Sequence, residues 1–161
     1  MKKRIIPSLL LSGGSTNVCL SQQFVPWRTI GTLAQQLKLH IARHCDELLI
    51  INLNQLNQHP FVVSDRMVRL VLQNVDIPIS YCGGISNQDD VSHTINKCFD
   101  KVFITSAFID KPDTLAKMSS LVGTQSIGVC LPYKFDNSLN ERFIWDYRNS
   151  CMLTNYPLEH Y

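Results

Sequence analysis

"IPISYCGGISNQDD", residues 77–90, is the stretch on which the fold turns. The apolar run 77–81 reads as a short buried strand. Gly83 and Gly84 turn the chain. A helix begins at Ser86 or Asn87, both residues that cap helix N-termini. Its inward stripe is Val91, Ile95 and Cys98. A buried strand that turns straight into an amphipathic helix is the repeating half of a βαβ unit, and such units build parallel sheets.

The same pattern recurs on both sides. Upstream, "RIIPSLLL" (4–11) reads as strand one, followed by a Gly/Ser-rich loop. A helix over 32–44 then places Leu33, Leu37 and Ile41 on one face. "ELLIINL" (47–53) is strand two. Ser64 is positioned to cap a helix carrying Met67, Val68, Val71 and Leu72. Downstream, "KVFIT" (101–105) is strand four. Asp110 and Pro112 open a further helix with Leu115, Met118 and Val122 inward and Gly123 past its end. "SIGVCL" (126–131) is strand five, and a hairpin follows, with its turn at 136–138 and "RFIWDY" (142–147) as one arm. This alternation predicts an α/β protein with right-handed crossovers and a sheet covered on both faces. Spacing alone does not separate an open sheet from part of an eight-stranded barrel.

The first strand competes with another reading. "MKKRIIPSLLL" has the basic and apolar sections of a secretion signal. Its apolar run is short, Pro7 interrupts it, and Gly13-Gly14-Ser15 follows without a small-x-small cleavage pattern. Val18 is too bulky for the position before a lipoprotein cysteine, Cys19. The strand reading is preferred. The 161 residues suit a single domain, 1–161, with one core. With 45% apolar and 17% charged residues the composition is that of a globular chain. A net charge of +2 without a Lys/Arg run argues against nucleic-acid binding. No apolar stretch reaches the ~20 residues of a membrane span. The six cysteines form no C-x-x-C pair, so a zinc knuckle is not expected, and unpaired thiols fit a reducing cytoplasm.

Five blocks, "KKRIIPSLLL", "DELLIINL", "IPISYCGGISNQDD", "DKVFITSAFIDKPDTL" and "GTQSIGVCLPYK", stand in the order of the first five strands of a known family. The chain resembles the cyclase subunit of imidazole glycerol phosphate synthase, a histidine-biosynthesis (βα)8 barrel. That resemblance implies the first half to five-eighths of a TIM barrel. It also implies a carbon–nitrogen lyase activity without a cofactor. Ammonia from a partner glutaminase acts on a phosphorylated ribotide, giving imidazole glycerol phosphate and aminoimidazole carboxamide ribotide. The "LLL" before Gly-Gly, and Tyr81 before the strand-three glycines, resemble a sister branch. That branch transfers ammonia in the synthesis of acetamidino sugars for surface polysaccharide.

The departures are chemical. The resemblance places acid/base Asp residues at the ends of strands one and five, where this chain has Leu10 and Pro132. Neither side chain moves a proton. The family's strand-two Asp is Asn52 here, and the loop Lys expected near 15–18 has no counterpart. A whole barrel of this type needs about 250 residues. The missing strands leave an open edge and apolar surface for a partner, or a second copy in a homodimer, to cover.

Gly83 and Gly84 at a strand-to-helix turn can hold a phosphate through bare backbone N–H groups. Two glycines that merely make a tight turn are the alternative. Thr105 and Ser106 end strand four, where the resemblance also implies phosphate contact. With Asn52 and Ser8 they complete the expected binding set, and no metal is expected. His40 and His44 are four apart on a helix but lack the intervening Glu of a metalloprotease pair, Ile41 standing there. His59, His93 and His160 are read as isolated surface residues. Cys82 is a reactive thiol or, preferably, a packed one. Trp27 and Arg28, in the loop before the first helix, close over a ligand, dock a partner or, as often for such loop aromatics, cap the barrel edge. Asp46, Asp89 and Asp90 are read as solvated helix-end charges. Two functions compete: a synthase-type ammonia acceptor, and a non-catalytic half-barrel that binds a phosphorylated ligand or a glutaminase-like partner.

Overall fold

The structure, a computed structural model, describes residues 3–12, 16–55 and 62–157. Strand β1 (Ser8–Ser12) is shorter than the apolar run that announces it. Pro7 has no N–H for a ladder, and Ile5 and Ile6 before it are exposed, at 68% and 46%. That segment is instead tied down from the side. The Ile5 N–H donates to Asp46 Oδ2 at 2.7 Å, and Arg4 pairs with Glu47. Asp46 is therefore a tether and not a free helix-end charge.

A hairpin follows where a plain loop was expected. It consists of β2 (Asn17–Gln22) and β3 (Val25–Thr32). Its turn residues Gln23 and Phe24 both sit at positive φ, 51° and 65°, as a tight hairpin turn requires. Trp27 and Arg28 lie on β3, not in a loop, and are exposed. Thr32 then caps α1 (Leu33–Ala42) in a reciprocal capping box with Gln35. Leu33 and Leu37 are buried and Ile41 packs partly against them.

The remaining units are β4 (Leu48–Asn52), α2 (Asp65–Asn74), β5 (Ile79–Cys82), α3 (Gln88–Lys97) and β6 (Lys101–Ile104). After them come α4 (Ser106–Asp110), α5 (Thr114–Val122) and β7 (Ile127–Val129). The chain continues with β8 (Tyr133–Asp136), β9 (Glu141–Asp146) and β10 (Cys151–Pro157). Several local expectations change. Ser64 precedes α2 without a side-chain cap, and Leu72 is 64% exposed. Asp110 closes the short α4, and the next helix starts only after Pro112, at Thr114. Asp90 is no solvated charge: it completes the capping box of Asn87 and also accepts from the Ser86 N–H and hydroxyl at 2.9 and 2.8 Å. Gly123, at φ 87°, ends α5 as a helix C-terminal glycine should.

Seven strands form one sheet in the order β3-β2-β1-β4-β5-β6-β7. β1, β4, β5, β6 and β7 run parallel, and the hairpin adds two antiparallel strands beyond β1. β8, β9 and β10 form a separate antiparallel sheet. Strand period two sends Leu9, Leu11, Leu48, Ile50, Ile79, Tyr81, Val102 and Ile104 to one face. There they meet Leu33, Leu37, Met67, Val71, Val91 and Met118 from the helices, all within one core cluster. The other face carries Leu10, Leu49, Ile51 and Phe103, which are only half-buried. The expectation of a sheet buried on both sides thus holds for the helix side and not for this one. A closed barrel would fill that side with its remaining strands.

Candidate functional site

Parallel α/β units bring ligands to the carboxyl ends of their strands. At that edge lies a cleft of about 550 Å³, a typical small-molecule volume. Its floor is the ends of β4, β5, β6 and β7: Asn52, Cys82, Gly83, Gly84, Thr105, Ser106 and Cys130 all line it. Its rim comes from two distant turns. Phe24 from the β2–β3 turn meets Tyr147 from the β9–β10 turn, ring centroids 5.2 Å apart.

The two glycines have separate reasons. Gly83 sits at φ 136°, and a Cβ there would lie 2.5 Å from the Asn52 backbone oxygen. The end of β4 passes too close for any side chain. Gly84 adopts φ 75°, which glycine enters at little cost. Thr105 and Ser106 stand one strand over. The Ser106 hydroxyl shares a 2.6 Å hydrogen bond with the Tyr147 hydroxyl, which draws the rim turn onto the start of α4. Burial pushes the Tyr147 phenol up, against that hydrogen bond.

Asn52 is buried and committed. Its Nδ2 donates to the Tyr81 hydroxyl at 3.1 Å, and its Oδ1 accepts from the Asn54 N–H at 3.1 Å. The side chain orients the strand end, and burial drives the Tyr81 phenol well above its ordinary range. Ser8 lies at the opposite end of β1, exposed and level with Leu49, so it does not line the cleft. Leu10 faces the half-covered side, level with Ile51, a cleft residue. Pro132 falls beyond β7 and lines a smaller neighbouring recess with Phe24 and Trp145. Cys130 is the residue of that connection that reaches the cleft.

The charged part of the cleft is self-neutralised. Arg148 holds Asp110 with two hydrogen bonds of 2.7 Å and reaches buried Asp146 at 3.1 and 3.2 Å. The Arg148 hydrogen bonds keep the Asp110 carboxyl below its ordinary range against its partial burial. Burial of Asp146 works upward but is outweighed by donors from Arg148 and Asn149, so it too is lowered. Lys111 also lines the cleft. Asp110 is the single carboxylate among the described lining residues, and it is engaged as an ion-pair partner. The acid/base pair that such a barrel mouth would need is therefore not assembled by these residues.

Other candidates disperse. The first helix ends at Ala42, so His40 is in its last turn while His44 lies beyond it at φ 55°; the two do not share a helical face. His93 is on α3, whereas His59 and His160 lie outside the described residues, as do Gly13, Gly14 and Ser15. Among the described residues no three His, Cys, Asp or Glu side chains gather as a metal site, and no helix is long and apolar enough to cross a membrane. Sequence reasoning missed Phe24, Asp110, Cys130, Tyr147 and Arg148 as cleft residues. Tyr147 closes the hairpin arm "RFIWDY", and nothing in that motif pointed to the cleft.

A partial (βα) barrel with a ligand-sized cleft at the carboxyl edge of its parallel strands is the class that fold and site define. Residues 4–147 match the family model described as histidine biosynthesis protein. The chain belongs to that family. It is 29% identical over 145 residues to the imidazole glycerol phosphate synthase subunit HisF of Staphylococcus saprophyticus, covering 90% of this chain and 56% of the relative. The HisF subunit of Phocaeicola vulgatus is 30% identical over 134 residues, 83% of this chain and 52% of its own. That of Flavobacterium johnsoniae is 28% identical over 134 residues, with the same shares. The chain thus resembles a cyclase-type subunit and spans about half the length of the curated relatives it matches.

Proposed function

We propose that the cleft binds a phosphorylated small molecule, with the phosphate held by the backbone at Gly83 and Gly84 and by the Thr105 and Ser106 hydroxyls. In this reading the 161 residues form a single partial-barrel domain of a cyclase-type subunit of imidazole glycerol phosphate synthase. The ligand is a ribotide, ammonia is delivered by a partner glutaminase in a heterodimer, and the setting is the cytoplasm. One observation carries the proposal: two glycines at positive φ and two hydroxyl side chains from the next strand end converge on one cleft. Such a concavity of backbone N–H groups and hydroxyls suits an anion.

Leu10 and Pro132 at the family's proton-transfer positions, with Asp110 locked to Arg148, favour binding over turnover. The second reading is accordingly a half-barrel that binds the phosphorylated ligand or its partner without catalysis. In either reading the half-covered sheet face is closed by further polypeptide.

Isothermal titration with ribose 5-phosphate tests the site. Gly84→Asp, a residue tolerated at this φ, sets a carboxylate against the phosphate and should weaken binding about tenfold or more, some 1.4 kcal/mol. Equal binding by both proteins, or none by either, ends the proposal. Glutamine-dependent turnover with the cognate glutaminase then separates the two readings: product above the control without this chain supports the enzyme, and a flat trace supports the binder.

A further inference from the structure

Arg148 holds two carboxylates on two different edges of its guanidinium. The side-on edge takes Asp146, with Nε donating at 3.1 Å and Nη2 at 3.2 Å. The Arg148 backbone N–H adds a third bond to Asp146, of 3.0 Å. The end-on edge takes Asp110, Nη1 and Nη2 each donating at 2.7 Å. The two partners differ in surroundings. The Asp146 side chain is 5% exposed and the Asp110 side chain 57%. Asp110 and Arg148 line the cleft, and Asp146 stands behind them. We propose that Arg148 is the phosphate-recognising side chain of this cleft, and that Asp110 occupies its end-on fork until the phosphate of a monoester ligand displaces it. The assignment rests on the phosphate reading of the cleft.

The placement allows the exchange. α4 has five residues, Ser106–Asp110, so at 1.5 Å per residue its ends are about 6 Å apart. Ser106, one of the hydroxyls in the phosphate set, is bonded to Tyr147, the residue before Arg148. The fork on Asp110 therefore stands about one helical turn from the Ser106 hydroxyl. A phosphate group with a hydrogen bond of about 2.8 Å on either side spans a gap of that order. Arg148 need not move, because its planar fork grips phosphate in the same two-pronged way as carboxylate. Only Asp110 swings away, into solvent that it already meets.

The energetics decide which carboxylate leaves. An ion pair with an exposed partner contributes little net stability, so releasing Asp110 costs little. Stripping Arg148 from buried Asp146 would strand a charge out of water, which is strongly destabilising. The inner pair is thus the anchor and the outer pair the exchangeable one. Charge points the same way. Arg148 and Lys111 are the cations among the described lining residues, and Arg148 is already outnumbered by its two carboxylates. A phosphate with nearly two negative charges is repelled by Asp110 until that carboxylate withdraws. A sugar without phosphate has nothing to compete for the fork and leaves the pair closed. Asp110 therefore lowers the affinity for the phosphate and leaves that for the bare sugar untouched.

The test is isothermal titration of the full chain with ribose 5-phosphate and, separately, with ribose. Asp110→Asn and Asp110→Ala remove the internal competitor, and each should bind ribose 5-phosphate about fivefold tighter than the wild type. Arg148→Lys keeps the charge and loses the fork. It should bind about tenfold more weakly, and adding Asp110→Asn to it should bring no gain. Ribose should show none of these changes. Circular dichroism confirms the fold of each variant. A purely structural ion pair gives the opposite sign, since losing Asp110 would loosen the rim turn and weaken binding. Ribose 5-phosphate bound no tighter by either Asp110 variant, or equally by the wild type and Arg148→Lys, overturns the role of Arg148. If Gly84→Asp still abolishes binding in that case, the phosphate site itself stands. Equal binding by the wild type and Gly84→Asp, or binding by none of the proteins, removes the phosphate site and this assignment with it.

Discussion

Replacing Gly83 with alanine should cost far more than the same change one residue later. The backbone at Gly83 has φ 136°, a region that is essentially glycine's alone, and holding another residue there costs about 1–3 kcal/mol. The new Cβ would also sit 2.5 Å from the Asn52 oxygen and 3.1 Å from its Cβ. That neighbour is the end of a central strand, and it carries the buried hydrogen bond to Tyr81. Relief must come from shifting backbone, which brings the loss to roughly 3 kcal/mol. Gly84, at φ 75°, lies where an alanine costs about 1 kcal/mol. Urea unfolding followed by circular dichroism reads the difference. With a slope near 2 kcal/mol/M, Gly83→Ala should move the midpoint down by about 1.5 M and Gly84→Ala by about 0.5 M. Equal midpoints for the two variants would refute the close-approach argument. Such a result would return Gly83 to the status of an ordinary turn residue.

The Asp110–Arg148–Asp146 cluster should appear in the acid limb of stability. Both carboxyls titrate below their ordinary value in the folded state, against about 3.9 when unfolded. Their contribution is complete above the unfolded value and lost as pH falls through the lower folded ones. Melting temperature against pH should therefore drop less steeply below pH 4 in Asp110→Asn/Asp146→Asn, and an unchanged slope would contradict the assignment. The aromatic rim should show as coupling between distant turns. A cycle of Phe24→Leu and Tyr147→Leu should give about 0.5–1.5 kcal/mol of interaction, whereas additivity within about 0.3 kcal/mol would mean that the rings do not support each other.

The parallel strands were legible because each is a short apolar run between turn residues. The helix-facing sets at Leu48 and Ile50, or Val102 and Ile104, are unmistakable as buried strand. The β2–β3 hairpin was not. β3 is exposed along most of its length, so no buried face writes period two into its sequence. Its turn uses Gln23 and Phe24 where Asn-Gly would have announced it. The break between α4 and α5 hid for a related reason: Ser106–Asp110 is one short turn of helix with no buried residue. In the cleft, Gly83, Gly84, Thr105 and Ser106 could be placed together because neighbouring parallel strands end side by side. Ser8 was placed at the wrong end of its strand by the assumption that strand one began at Arg4. Cys130, Tyr147 and Arg148 enter through tertiary closure alone, and no local pattern encodes which turn will fold over which strand end.

The ring contact between Phe24 and Tyr147 has a temporal meaning during synthesis. A nascent chain emerging from the ribosome can pair β1 with β4 and lay helices over them early, since those partners are near in sequence. The cleft acquires its upper wall only when the turn carrying Tyr147 and Arg148 has emerged and docked on Ser106 and Asp110. Competence to hold a small molecule thus waits for that turn, and its local opening is a direct way to lose it.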